Sequence, residues 1–595
     1  MKQSKIVLSI ILLACLAFTS CQNMLYVESD RYLYADNNKL DSPSDSVYSL
    51  AGILTKWQLL GDQYVLLGEL RGELMDVTEN ADQDLIDLSN LDYSNPDNEF
   101  LDLTNYYAVI NHCNYLIANM DTTILVAGET RLKREYVAAT AIRAWTYMQL
   151  AFNFNGAYYY DEPILTVAQS KAIANDPQYF LDREAILNEL EADLLPWYTY
   201  PMPEYIGLGS SKVSDLIPSV AYMLGEIYLW QNRYAEAANM YFYDINEKER
   251  VVSSSYRSSY IEGNFSTSAS SLMSNTVTSD GKYYMQNYWG NQFGARPGIT
   301  PEISAGIPYY STNTFGKFNV SKMYKYCYID YKLAPSQYAY EWFNSQPYLD
   351  KTKNATTGVS SNIATTGDLR GVPGSIAYTT TNYEQMDKSD ITTTEMQRYE
   401  QIAIYQAPVG SLVVALYTNY TFSPSIILQR STLAYLRYAE ALNRMGKPTT
   451  ALAVVNNGLK VSTLRDSTLI AANEMDSIFA DQFNKEFYVS NVGTRTRGQG
   501  PSTSVEFFFT KDASELTLQD SILYVEQVLV DECGLETAFN GNRFHDLLRF
   551  TQHEGAPNYI ATALAGKFPD RASEFAAKAF NDWFIPYPKT TSDEE

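Results

Sequence analysis

Apolar residues recur along much of this chain at steps of three and four, and that spacing commits most of it to helices packed on one another. Val47, Leu50, Leu54, Trp57, Leu60, Tyr64 and Leu67 form one such face. Phe100, Leu103, Tyr107, Ile110, Asn114 and Ile117 form a second. A third helix is predicted from about Glu129 to Phe152, ending near Asn155-Gly156, where glycine can take the left-handed C-terminal position. Between the first two, residues 80–98 are polar, acidic and contain Pro96, which reads as a long loop.

Two later segments pair their helices in a fixed register. Leu224, Gly225 and Tyr228 precede the turn Trp230-Gln231-Asn232-Arg233, and Ala237 and Tyr241 follow it. These offsets match the tetratricopeptide pattern, with small residues where the helices approach and aromatics filling the gap. Tyr435, Ala439 and Leu442, the turn Met445-Gly446-Lys447-Pro448, then Ala451 and Val455 repeat the spacing with a poorer aromatic set. The fold class expected is mainly α, a tetratricopeptide-like scaffold whose units bury their apolar faces against neighbours.

Between the hairpins, residues 253–280 and 351–394 are rich in Ser and Thr, and alternation is too weak to assign strands. Residues 251–425 therefore read as a loop-rich, variable insertion between helical parts at 21–250 and 426–595, all within one structural domain. Helix returns from about Leu518 to Phe539, Gly541 breaks it, and Asn542 to Arg549 resume a short turn. The strip Trp583-Phe584-Ile585-Pro586-Tyr587-Pro588 is expected to pack back on the body.

The amino terminus points to a location. Lys2 and Lys5 precede the apolar run Ile6 to Phe18, and Thr19-Ser20 lead into Cys21. Residues 1–20 form a secretory signal too short to span a bilayer. A cysteine directly after the cleavage position suits lipoprotein processing, although Phe18 stands where Leu is usual, and an ordinary cleaved signal is the alternative. Cys21 is taken as the lipidated residue.

Charge excludes one class of partner. With 69 acidic against 44 basic residues the chain carries −25, so nucleic acid is not expected to bind. Cys113, Cys327 and Cys533 are too widely spaced for a disulfide framework or a zinc set, no EF-hand loop is present, and neither metal nor cofactor is expected. His112, His545 and His553 fit no H-E-x-x-H pattern, and His545 reads as structural. Neither a nucleophile elbow nor a phosphate-binding glycine loop occurs. Asp531, Glu532 and Glu536, near Arg543 and Arg549, read as structural ion pairs, because a general acid needs a raised pKa.

Several blocks together resemble the SusD/RagB family of outer-membrane nutrient-uptake lipoproteins. Tyr106 to Pro163 carries one; Glu69-Leu70-Arg71-Gly72 resembles the early E-L-R-G segment, with Glu73 where Asp is more usual. The Gly225/Tyr228 hairpin and Ala439 to Gly446 are similar to the family's helical repeats. Asp531 to Phe550 resembles its C-terminal signature, with Asn540 in place of Glu. The resemblance implies lipid anchoring at the outer membrane, facing the exterior. It also implies capture of oligosaccharides for a SusC-type TonB-dependent transporter, without catalysis.

The shared motifs transfer no ligand residues, so these come from local chemistry. Sugar rings have apolar C–H faces and hydroxylated edges, which aromatic platforms beside amides and Arg can grip. Residues 283–293 combine both, and Tyr284, Tyr288, Trp289 and Asn291 are the expected contacts, with Arg296 as donor. Tyr93 and Asn80 are candidates for an opposite wall. Peptide capture on the same scaffold, and less favourably a surface glycosidase, are the alternatives.

Overall fold

The computed structural model describes residues 43–125, 128, 130, 132–250, 252, 303–308, 332–353, 360–368, 370, 376–380, 391–396, 404–406, 412–414, 425–475, 491–495, 503–504 and 516–588. The first helix, α1 (Pro43–Trp57), runs through a 3-10 turn (Gln58–Leu60) and α2 (Gly61–Val65) into one π turn (Leu66–Leu70). Its periodic residues Leu50, Leu54, Trp57, Leu60, Tyr64 and Leu67 are all buried. β1 (Met75–Val77) follows, then a helix inside the region that reads as loop, α3 (Gln83–Ser89). Only Leu85 and Leu88 anchor it, a pair too sparse to register as periodicity.

α4 (Thr104–Asn119) and α5 (Leu132–Phe154) pack against α1 and each other. α5 is buried almost all round, as a central helix must be. Its terminus corrects the expectation for Gly156: Asn155 takes the left-handed position at φ 57°. Gly156 instead opens β2 (Gly156–Tyr158), where a Cβ would lie 2.8 Å from the Leu181 carbonyl oxygen. α6 (Val167–Ala174) intervenes before β3 (Phe180–Asp182), which pairs antiparallel with β2 and leads into α7 (Arg183–Leu194).

Both predicted hairpins form. α8 (Val220–Trp230) and α9 (Tyr234–Glu247) approach so closely that a Cβ on Gly225 would sit 2.7 Å from the Tyr241 ring. The region read as loop-rich holds regular structure among its described residues. β4 (Ile303–Pro308), β5 (Leu333–Pro335), α10 (Gln337–Ser345), β6 (Pro347–Lys353), β7 (Ser360–Thr366), β8 (Ile376–Thr380), β9 (Ile391–Met396) and two three-residue strands lie there. β6 pairs with β7 and β8 with β9 as antiparallel hairpins; their Ser/Thr runs disguise the period-2 alternation. β10 (Ser425–Arg430) closes the region by pairing with β4, Ser425 opposite Pro308.

α11 (Ser431–Arg444) and α12 (Pro448–Asn457) make the second hairpin, and α11 packs on both α9 and α13 (Leu518–Thr537). α14 (Arg543–Thr551) and α15 (Tyr559–Lys567) complete the stack. Trp583, Phe584 and Ile585 are buried, and the Ile585 N–H donates to the Asn153 carbonyl at 2.9 Å. This is a mainly α, tetratricopeptide-like architecture.

The two ends of the chain meet at one carboxylate. Glu69, in the π turn, accepts the backbone N–H groups of Phe539 (3.0 Å), Gly541 (2.7 Å), Asn542 (3.0 Å) and Arg543 (3.3 Å). These are donors at the start of α14 that no intrahelical carbonyl can satisfy. Gly541, at φ 99°, makes the turn, and Gly68 lets it approach, since a Cβ there would lie 1.9 Å from the Gly541 oxygen. Burial pushes the Glu69 carboxyl up to about 7, against the pull of its four donors. Glu73 adds an ion pair to Arg543, and Lys567, pushed down to about 8 by burial, donates to the Met75 carbonyl at 2.7 Å.

Replacing Glu69 with Ala strands several buried N–H groups at about 1–3 kcal/mol each, so a loss of at least about 3 kcal/mol is expected. Chemical denaturation of the Glu69→Ala protein should show a clearly lower midpoint than the parent. An unchanged midpoint would remove the clamp from the account.

Candidate functional site

The clamp also orients the residues around a surface cleft. Arg71, two residues beyond Glu69, is fully buried and lies 3.8 Å from the Phe544 ring centroid. Its guanidinium donates to the Tyr93 hydroxyl (2.8 Å), Asn153 Oδ1 (3.0 Å) and the Trp583 carbonyl (2.7 Å). One side chain thus ties the acidic loop to α5 and to the C-terminal strip. His545 completes the knot, its Nε2 2.9 Å from Asn153 Oδ1. Burial, reinforced by Arg71, pushes the His545 imidazole down to about 3, so it is neutral.

The loop held by Arg71 is built from Asx turns. Asp92, Asn95, Asn98 and Asp102 each accept, through Oδ1, the N–H two residues ahead. Asp84 Oδ2 accepts from the Glu99 N–H at 3.0 Å, and Gln63 donates to the carbonyls of Phe100 and Asp102. The polar composition that reads as a loop is therefore its internal framework. Such a loop is set before any ligand arrives.

Between this loop, the start of α4, the end of β2, α6 and the C-terminal strip lies a cleft of about 590 Å³. Four tyrosines line it: Tyr107, Tyr158, Tyr160 and Tyr587. Tyr107 and Tyr160 stack at 6.0 Å with planes 13° apart, and the Tyr107 and Tyr587 hydroxyls are 2.5 Å apart. Tyr158 meets Tyr587 at 5.8 Å and Phe180 at 5.4 Å, both edge to face. The Tyr160 backbone is fixed by the Tyr147 hydroxyl, while its own hydroxyl has no partner among the described residues. Tyr160 is only 7% exposed. A phenol on a cleft wall whose hydroxyl bonds no described residue can donate to or accept from a ligand. Asp97, Glu99, Asp102, Thr104 and Ser170 supply the polar rim.

Of the residues expected from sequence to bind ligand, Tyr284, Tyr288, Trp289, Asn291 and Arg296 lie outside the described residues, as does Cys21. Tyr93 and Asn80 do not line the cleft. Tyr93 is half-buried with its hydroxyl on Arg71, and the Asn80 N–H donates to Thr78 Oγ1 at 3.3 Å. Nothing in the sequence singles out the four tyrosines as ligand contacts. Tyr107 reads as one member of a helix face, and Tyr158 and Tyr160 as part of a motif block. Only their shared wall reveals a common role.

Of the three α13 carboxylates expected to pair, Glu532 and Glu536 do so with other arginines than Arg543 and Arg549, while Asp531 is in no ion pair among the described residues. Arg370 bonds Glu532 (2.9 Å) and Glu536 (3.0 Å), and Arg430 bonds Glu536 (2.6 Å), all buried. Arg549 instead reaches Glu440 and Asp546, and Arg543 reaches Glu73. Positions 532 and 536 face the insertion, a direction that sequence proximity to α14 does not show. Asp531 is half-buried and pushed up to about 6 by desolvation, against the pull of Arg543 and of Gln527, bonded to it at 3.1 Å. Among the described residues no His, Cys, Asp and Glu cluster could hold a metal ion, and no helix is long and apolar enough to cross a membrane.

No protein-family model matches the sequence, and no curated protein matches it. Solved structures do. A SusD superfamily protein of Bacteroides vulgatus ATCC 8482 superposes with a TM-score of 0.54 at 13% identity, over 93% of this chain and 96% of that one. A SusD homolog of Bacteroides thetaiotaomicron VPI-5482 gives 0.51 at 13% identity, over 92% and 93%. Surface glycan-binding protein A of Bacteroides fluxus gives 0.50 at 15% identity, over 93% and 98%. Across nearly its whole length the chain has the SusD fold.

The neutral, buried His545 carries a pH dependence. The unfolded imidazole takes up a proton near 6.5 and the folded one only near 3, so the stability that His545 contributes falls as pH drops through that window, opposite in sign to the contribution of Glu69, whose raised carboxyl protonates first in the folded state. The loss reaches roughly 2 kcal/mol by pH 5. His545→Gln, whose amide can still reach Asn153, should gain roughly 2 kcal/mol on the parent between pH 7 and pH 5 in denaturation measured across that range. An unchanged slope would show that the proton goes elsewhere.

Proposed function

We propose that this SusD-fold protein is a non-catalytic, cell-surface glycan-binding lipoprotein. In this reading it captures oligosaccharides and delivers them to a SusC-type TonB-dependent outer-membrane transporter. The observation that carries the binding step is the tyrosine-walled cleft with its acidic, amide-poor rim. Phenol rings offer flat faces to sugar C–H groups, and rim carboxylates and hydroxyls accept or donate to the sugar edge. A preset loop facing an aromatic wall suits holding a ligand.

The remaining parts of the reading rest on sequence. Lipidation at Cys21 would tether the chain through several acyl chains, each contributing about 0.8 kcal/mol per buried CH₂. The transporter partnership and the outward-facing, outer-membrane location follow from the resemblance of the sequence blocks to the SusD/RagB family. Tyr284, Tyr288, Trp289, Asn291 and Arg296 are proposed as further sugar contacts on composition alone.

Screening the soluble mature chain on glycan and peptide panels tests the reading. Binding of an intact oligosaccharide is expected. Tyr587→Ala should weaken it by about 2 kcal/mol, about thirtyfold, if the ring is a stacking hot spot. Ser170→Trp, at an exposed position on α6, should block the cleft without disturbing the core. Peptide binding alone, or release of shortened products from a polysaccharide, would replace this reading with another.

A further inference from the structure

We infer that the tyrosine cleft selects uncharged oligosaccharides and turns away those bearing uronate or sulfate groups. The inference rests on the reading of the cleft as a glycan site and adds the class of glycan it takes.

The charge of the lining is one-sided. Asp97, Glu99 and Asp102 stand along the loop wall, and among the described residues no Lys, Arg or His lines the cleft. Asp97 and Asp102 are exposed, and neither has an ion-pair partner among the described residues. Both are held in place, since Asn95 Oδ1 accepts the Asp97 N–H at 3.1 Å and Asp102 Oδ1 accepts the Thr104 N–H at 2.9 Å. On the segment leading from β2 to α6, Asp161 and Glu162 are exposed and extend the same sign. Lys171 is exposed on α6 beside Ser170 but is not part of the lining.

Two consequences follow for a bound sugar. Hydroxyls of a neutral ring can donate to the exposed carboxylates of Asp97 and Asp102, forming charge-assisted bonds stronger than neutral ones. A uronate or sulfate would instead give up its hydration beside fixed like charges, with no cation among the described lining residues to compensate. At a few ångströms and a surface dielectric, two such repulsions amount to about tenfold or more in affinity at low salt. The overall charge of −25 adds a long-range barrier to a polyanion.

The test is calorimetry at about 20 mM salt with a neutral oligosaccharide that binds on the glycan panel, and with the same oligosaccharide after its primary alcohols are oxidised to carboxylates. The oxidised form should bind at least about tenfold more weakly. The gap should narrow in the Asp97→Asn/Asp102→Asn double variant, and also at about 0.5 M salt. Equal or tighter binding of the oxidised form, with both ligands still weakened by Ser170→Trp, would overturn the selectivity while leaving the site in place. So would a gap that the double variant does not change. Binding of both ligands unaffected by Ser170→Trp would overturn the cleft assignment, and the selectivity with it.

Discussion

A single buried carboxylate holds the beginning and the end of this fold together. Glu69 projects from a π turn and gathers the four unsatisfied N–H groups around the start of α14, in a chain segment some 470 positions later. Everything nearby is arranged for that contact. Gly68 and Gly541 remove the Cβ atoms that would keep the turns apart, and Glu73 and Arg543 pair beside it. Arg71 then passes the constraint outward to Tyr93, Asn153 and Trp583. Because one guanidinium touches the acidic loop, α5 and the C-terminal strip, the cleft walls inherit their positions from the clamp.

The rest of the interior repeats this use of charge. Arg370, Arg430, Arg437, Arg495 and Arg549 are fully buried, each facing carboxylates or carbonyls from distant segments. Such pairs contribute little net stability against apolar packing, yet losing one partner costs about 3–5 kcal/mol. Their value here is registry: Arg370 and Arg430 tie residues of the middle region to α13, and Arg437 links α11 to α8 and α14.

The helical frame was legible because its signal is local. Leu50 to Leu67 and the Gly225/Tyr241 offset need only a few turns of chain to be read, and the structure buries those residues as expected. α3 is hidden in the sequence because two leucines set among Asx residues look like loop, and the β6–β7 hairpin because Ser and Thr mask its alternation. Asn155 rather than Gly156 took the left-handed position since strand pairing, not helix termination, required the glycine. The cleft was less legible still. Tyr107, Tyr158, Tyr160 and Tyr587 come from segments up to 480 positions apart, and each has an innocent reading by itself. Tyr93 was noticed for its ring and its loop, but its hydroxyl serves Arg71, a partner visible only in three dimensions.

The SusD fold supplies a rigid helical body, and on it this chain places an aromatic wall opposite an acidic, internally bonded loop. In the proposed function, that pairing would grip a sugar by its face and its edge. The most direct measurement is a crystal structure of the mature chain soaked with an oligosaccharide that it binds. Intact sugar density seated against Tyr107, Tyr160 and Tyr587, with a hydroxyl within hydrogen-bond reach of the Tyr160 phenol, is the result this account requires. An empty cleft with the sugar bound elsewhere, or density for a cleaved product, would contradict it.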